Sequence, residues 1–162
     1  MGGVSGSGRA DRTPDPVRAS RFTLSLDRGD VGSFTEISGL AVTIDVEEVV
    51  EGGNNGYTHR LPKGMKWQNI VLKRGVTDSE VLLSWLAECS GPKLESLEAK
   101  NFEVPRRTAT ITVHDGSGAA VRAWSLDGAF PVRWTGPRFA ASAAELAVEE
   151  LEVCHRGLYA AR

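Results

Sequence analysis

Two runs of glutamates are the first candidates for chemistry: Glu47, Glu48 and Glu51, and Glu149, Glu150 and Glu152. A carboxylate pair flanking a bond is what glycoside hydrolysis uses, one group as acid and the other as base or nucleophile. Each run, however, lies in an alternating apolar–polar stretch, where carboxylates ordinarily form a solvated strand face. His59, His114 and His155 share no metal-ligand spacing. Cys154 and His155 are neighbours on a predicted strand, so they point to opposite faces and away from a common metal. Cys89 and Cys154 are the only cysteines and no CxxC is present, which fits two partly buried free thiols and a reducing compartment during folding. The Gly52–Gly56 run GGNNG could cradle a phosphate, but it lacks a GK[ST] tail and leads into a strand. No GxSxG elbow is present. Trp67, Trp85, Trp124 and Trp134 could offer a sugar platform, although Trp85 fits helix packing and the others fit strand or interface aromatics. No metal or cofactor is expected, and the chain does not read as an enzyme.

The elements around these residues read mainly as strands. Phe22, Leu24 and Leu26 alternate with Thr23 and Ser25, and Asp27-Arg28-Gly29-Asp30 follows as a hairpin turn that also spells the integrin tripeptide. A return strand begins over Phe34 to Ile37. Val42, Ile44 and Val46 alternate with Thr43, Asp45 and Glu47, and the Glu47-Glu48 doublet breaks the phase, which predicts a bulge there. Residues 51–60 read as a polar, glycine-rich loop, and Trp67 to Arg74 as a strand. Thr77-Asp78-Ser79-Glu80 is a capping box opening the one good helix, whose stripe is Val81, Leu82, Trp85 and Leu86 and whose end is Gly91-Pro92.

Residues 93–107 read as a loop. Ala109, Ile111 and Val113 then alternate with Thr108, Thr110, Thr112 and His114. Asp115-Gly116-Ser117-Gly118 predicts a hairpin to a strand over 119–126, and a further strand starts at Pro131. The final strand, 145–155, is predicted to shift phase at Glu149-Glu150. The fold class is mainly β, an antiparallel β-sandwich or barrel with one short flanking α-helix.

Composition sets the outer bounds. At 162 residues the chain is one domain, with 41% hydrophobic and 25% charged residues and a net charge of −2. Lys and Arg are scattered, so there is no nucleic-acid-specific signal, and no apolar run is long enough to anchor in a membrane. Residues 1–20 read as a flexible N-terminal arm without the apolar core of a secretory signal, and 21–162 as the β domain.

Several segments, in their order and spacing, resemble the tail tube protein family of contractile phages and phage-like contractile injection systems. They are Phe34-Thr-Glu-Ile-Ser-Gly-Leu40, Glu47-Glu-Val-Val-Glu-Gly-Gly53 with Asn55, His59-Arg-Leu-Pro62, and Asn69-Ile-Val-Leu-Lys-Arg-Gly-Val76 with Trp85. Further on come Trp124, Ala129-Phe-Pro-Val132, Gly136-Pro137, Ala147-Val-Glu-Glu-Leu-Glu152 and His155 to Leu158. Leu61-Pro62-Lys63-Gly64 departs from the family's Leu-Pro-Gly by one lysine.

The resemblance implies a structural protomer that closes into hexameric rings, with part of its β-structure joining its neighbours into a continuous wall. The rings stack into the inner tube of a tail or injection particle, made in the bacterial cytoplasm. The implied partners are itself, the contractile sheath, the baseplate hub and spike, the tube-terminating cap, and a cargo or tape measure in the lumen. The resemblance also assigns Glu51, Gly52, Gly53, Asn54, Asn55, Gly56, Tyr57, His59 and Arg60 to an inter-subunit loop. Thr108, Thr110, Thr112 and His114 form a possible lumen face, and so do Thr43, Asp45 and Glu47. A tube-initiator or baseplate adaptor of the same family, and a soluble β-sandwich binding module, remain alternatives.

Overall fold

The computed structural model describes residues 19–49, 53, 58–77, 80–90, 104–138 and 147–161. Ten strands and one helix follow in the order β1 (Arg21–Leu26), β2 (Gly29–Phe34), β3 (Glu36–Ser38), β4 (Val42–Val49), β5 (His59–Trp67), β6 (Ile70–Gly75), α1 (Glu80–Ser90), β7 (Arg107–His114), β8 (Ala120–Thr135), β9 (Val148–Cys154) and β10 (Gly157–Ala160). Eight strands form one antiparallel sheet in the order β2-β1-β7-β8-β9-β6-β3, with β10 beside β8, and β4 and β5 form a separate two-stranded hairpin.

Two connections bend that sheet around a core. Phe34 ends β2 opposite Phe22 of β1, and two residues later Glu36 opens β3 opposite Lys73 of β6. At the corner Thr35 N donates to Lys73 O at 2.9 Å. On the far side β8 runs for 16 residues, its first half paired with β7 and β10 and its second with β9. The two shorter strands predicted over 119–126 and from Pro131 are therefore one strand. Gly128 and Pro131 look like breakers in the sequence, but the register shifts past Pro131 and lets the strand change partners.

Leu24, Phe34, Ile70, Leu72, Ile111, Leu126, Leu151 and Val153 fill the interior. Helix α1 closes it with Leu82, Trp85 and Cys89, one face at helical spacing. Trp85 is core, as its place in the apolar stripe predicts. Burial raises the Cys89 thiol above its usual range, with the neighbouring Glu88 carboxylate adding to the effect. The capping residues Asp78 and Ser79, most of residues 51–57 and residues 1–18 of the predicted arm of residues 1–20 lie outside the described residues.

One polar cluster crosses the core. Arg74 is buried and donates through Nε to Glu149, while its Nη1 donates to the Val31 carbonyl oxygen at 2.9 Å. The Trp134 indole N–H donates to the other Glu149 oxygen at 3.1 Å, and the guanidinium lies 5.0 Å over the Phe34 ring. This corrects the phase shift predicted at Glu149-Glu150. β9 pairs with β6 in unbroken register, and Glu149, Leu151 and Val153 share the buried face. Glu149 can stand on that face because Arg74 and Trp134 satisfy both its oxygens.

Candidate functional site, an uncovered hairpin

The β4–β5 hairpin is where the structure departs furthest from a self-contained domain. Its register pairs Val42 with Trp67, Ile44 with Met65 and Val46 with Pro62. Directly paired residues share a face, so these side chains form one apolar stripe. Only its base is covered, where Trp67 is half-buried against His155; beyond it, nothing among the described residues covers the stripe, and Ile44 is 54%, Val46 57% and Met65 57% exposed. The opposite face is charged. Lys66 meets Asp45 at 2.6 Å and Lys63 meets Glu47 at 3.7 Å. Towards the tip, on the same face as the apolar stripe, Arg60 holds Glu48 at 2.9 Å.

The second hairpin strand is missing from the sequence reading, which carries the loop to Arg60 and resumes at Trp67. Pro62, Lys63 and Gly64 look like breakers, yet an edge strand accepts a proline whose nitrogen has no partner to serve. The predicted bulge is also displaced. It falls between Asp45 and Val46, because Val46 pairs with Pro62 and Asp45 with Gly64, leaving Lys63 without an opposite number. The lysine added to Leu-Pro-Gly is thus the bulged residue.

The proposed loop residues are only partly placed. His59 and Arg60 open β5 and are exposed, and Gly53 lies in a turn. Glu51, Gly52, Asn54, Asn55, Gly56 and Tyr57 lie outside the described residues.

Two other faces look outward. Along β7, Thr108, Thr110, Thr112 and His114 point away from buried Ala109, Ile111 and Val113. Thr112 stands opposite Thr23, and Thr110 opposite Ser25 and Ser125. Thr23 Oγ1 lies 3.0 Å from His114 Nε2. The result is a hydroxyl-rich, sparsely charged surface. The outer face of β3-β6-β9-β8 is instead a charge ladder. Glu36 accepts from Lys73 at 3.0 Å, which raises the lysine pKa, and Glu150 stands opposite Lys73. Arg133 reaches Glu152 at 2.8 Å and Glu150 at 3.8 Å.

Among the described residues the two glutamate runs do not meet as a catalytic pair, and Glu51 lies outside them. Glu47 and Glu48 sit on opposite faces of the hairpin, each with a cation. Glu149 is buried by Arg74 while Glu150 and Glu152 belong to the ladder. Among the described residues no three His, Cys, Asp or Glu gather as a metal ion requires. No described helix is long and apolar enough to cross a membrane.

Solved structures share this architecture. A chain of the extended sheath-tube complex of the extracellular contractile injection system PVC superposes with a TM-score of 0.71 at 23% identity, covering 97% of this chain and 99% of that one. A chain of the anti-feeding prophage baseplate gives 0.68 at 24% identity over 90% and 95%. A crystal structure of an Hcp protein gives 0.53 at 10% identity over 86% and 91%. No curated protein matches the sequence. Residues 18–159 match the family described as T4-like virus tail tube protein gp19. The chain belongs to this tail tube protein family.

Proposed function

We propose that this chain is the repeating protomer of the inner tube of a contractile tail or injection particle, without catalysis of its own. The observation that carries the reading is the hairpin, a registered pair of strands with an apolar face that its own protomer leaves in water. A surface of that kind marks a contact with another chain. In a ring of six copies the hairpin of one protomer lies on its neighbour, and head-to-tail contacts of this kind close a ring. Stacked rings extend the tube. The sheath then binds the outer wall, the baseplate hub and spike and the terminating cap meet the tube ends, and a cargo or tape measure fills the lumen. Assembly takes place where the chain is made, in the bacterial cytoplasm.

Electron microscopy of the purified protein tests this directly. Six-fold rings and tubes are expected, and a monodisperse monomer at all concentrations contradicts the proposal. The loop of residues 51–60 is proposed as a contact between subunits or rings. Replacing Gly52 and Gly53 with bulky residues should block assembly and leave the protomer folded, whereas normal stacking would remove the loop from the interface.

Either outward face is a lumen candidate. The Thr108, Thr110, Thr112 and His114 row offers a hydroxyl-rich wall. The charged alternative is the Glu36–Lys73 ladder, with the Asp45–Lys66 face of the hairpin as a second charged surface. Single cysteines at Thr110 and Lys73, in a background lacking Cys89 and Cys154, separate the two. In sealed tubes the luminal position resists a bulky maleimide that labels the outer one.

A further inference from the structure

We propose that His155 is a positioning residue that sets the angle of the β4–β5 arm; the inference rests on the tube reading, which gives that arm its task. The arm leaves the body through two short joints, residues 39–41 and 68–69. Gly39 has φ +84°, and a Cβ there would overlap the Asn69 backbone, so the two joints are pressed together. Ala41 N donates to Gly39 O at 2.7 Å and Gln68 N to Ala41 O at 3.2 Å.

His155, just after β9, is buried beneath this junction. Its Nε2 lies 3.0 Å from the Gln68 carbonyl oxygen. A carbonyl only accepts, so Nε2 carries the proton. The imidazole also meets Trp67, the last residue of β5, at 5.8 Å between ring centres and 51° between planes. His155 therefore ties the body of the protomer to the backbone of the joint and to the first aromatic of the arm's apolar face.

Leverage makes that tie matter. At about 3.4 Å per residue the nine residues of β5 reach about 30 Å, so a 10° tilt at the joint displaces the tip by roughly 5 Å. Such a displacement exceeds what two packed surfaces tolerate. The other His155 nitrogen, Nδ1, is buried with no hydrogen-bond partner among the described residues. A core position would be filled more simply by an apolar ring, so the retained imidazole points to the Gln68 bond as its use.

Two substitutions separate donor from ring. His155→Gln keeps an N–H donor at about the position of Nε2 and loses the ring; His155→Phe keeps a ring and loses the donor. The readouts are the protein concentration at which tubes form, the melting temperature of the dilute protomer, and hydrogen exchange at the Ala41 and Gln68 amides. His155→Gln should assemble within about threefold of the unsubstituted concentration. His155→Phe should melt as a folded protomer yet need at least about tenfold more protein, a difference of one decade in an equilibrium constant, with faster exchange at both amides. Wild-type assembly and exchange in His155→Phe, or His155→Gln behaving like His155→Phe, would overturn the proposal. Unfolding of both His155→Phe and His155→Leu would make His155 a core residue and overturn it too. If the unsubstituted protein forms no tubes, the tube reading fails, while the exchange comparison still decides the role of His155 at the joint.

Discussion

Strands β7 and β4 carry nearly the same pattern and meet opposite fates. In β7, Ala109, Ile111 and Val113 alternate with threonines and are buried at 0%, 0% and 7% exposure. In β4, Val42, Ile44 and Val46 alternate with Thr43, Asp45 and Glu47, and all three apolar residues are exposed. β7 lies between β1 and β8 with the core beneath it, while β4 has only β5. Period-two alternation announces a face to be covered. It does not say whether the cover comes from the same chain. Here one face is covered by the protomer's own core, and the other is exposed in the protomer and is the face we propose a neighbour covers.

Substitutions can break that contrast, beginning with the largest effects on the protomer. Trp85→Ala removes the largest buried side chain among the described residues and should cost about 3–5 kcal/mol, read as a lower urea midpoint with unchanged slope. Near-neutral stability would place Trp85 outside the core. Glu149→Ala leaves Arg74 charged and buried without its carboxylate and should destabilise by about 3–5 kcal/mol. A loss below about 1 kcal/mol, the usual worth of an exposed pair, would show the pair to be solvated.

The direct contrast is Ile111→Ala against Ile44→Asp. Ile111→Ala should cost about 2–5 kcal/mol in the protomer. Ile44→Asp should change protomer stability by no more than about 0.5 kcal/mol, as a surface substitution does, and still abolish tubes. Equal destabilisation by both would mean that the hairpin is packed within its own chain.

The smallest effect belongs to the β7–β8 turn. Asp115 Oδ1 accepts from Ser117 Oγ at 2.7 Å, Ser117 N at 2.9 Å and Ala119 N at 3.0 Å. The Ser117 hydroxyl bond leads in holding the Asp115 pKa below its usual value. A depressed folded pKa means that the contribution is present above the unfolded value, about 3.9, and is lost as pH falls through the folded one. Asp115→Ala should therefore lower the melting temperature slightly at neutral pH, and the difference should vanish in stronger acid. A difference independent of pH would remove the carboxylate from the account.

Much of this was legible in the residues. The alternation of Phe22 to Leu26 and of Thr108 to His114, the DGSG turn and the Trp85 stripe place most of the sheet and its helix. What escaped did so for physical reasons. β5 is hidden because Pro62 and Gly64 are tolerated on an edge strand with a bulge at Lys63. β8 is hidden because one strand changes partners at Pro131. Glu149 reads as a phase break because only the fold reveals that Arg74, 75 residues away in sequence, neutralises it. The role of His155 at the arm's joint is a contact with Gln68, 87 residues away, and no local pattern signals it.

Met65 offers the most direct test of the claim that a neighbour covers the hairpin. It and Met1 are the only methionines, and Met65 stands at the centre of the apolar stripe opposite Ile44. Its oxidation by dilute peroxide can be followed by mass spectrometry of the peptide that contains it. Rapid oxidation in the dilute protomer and at least about tenfold slower oxidation after assembly are predicted, because the stripe becomes buried between chains. Equal rates in the protomer and in assembled tubes would show that the apolar face stays in water, and would contradict the account.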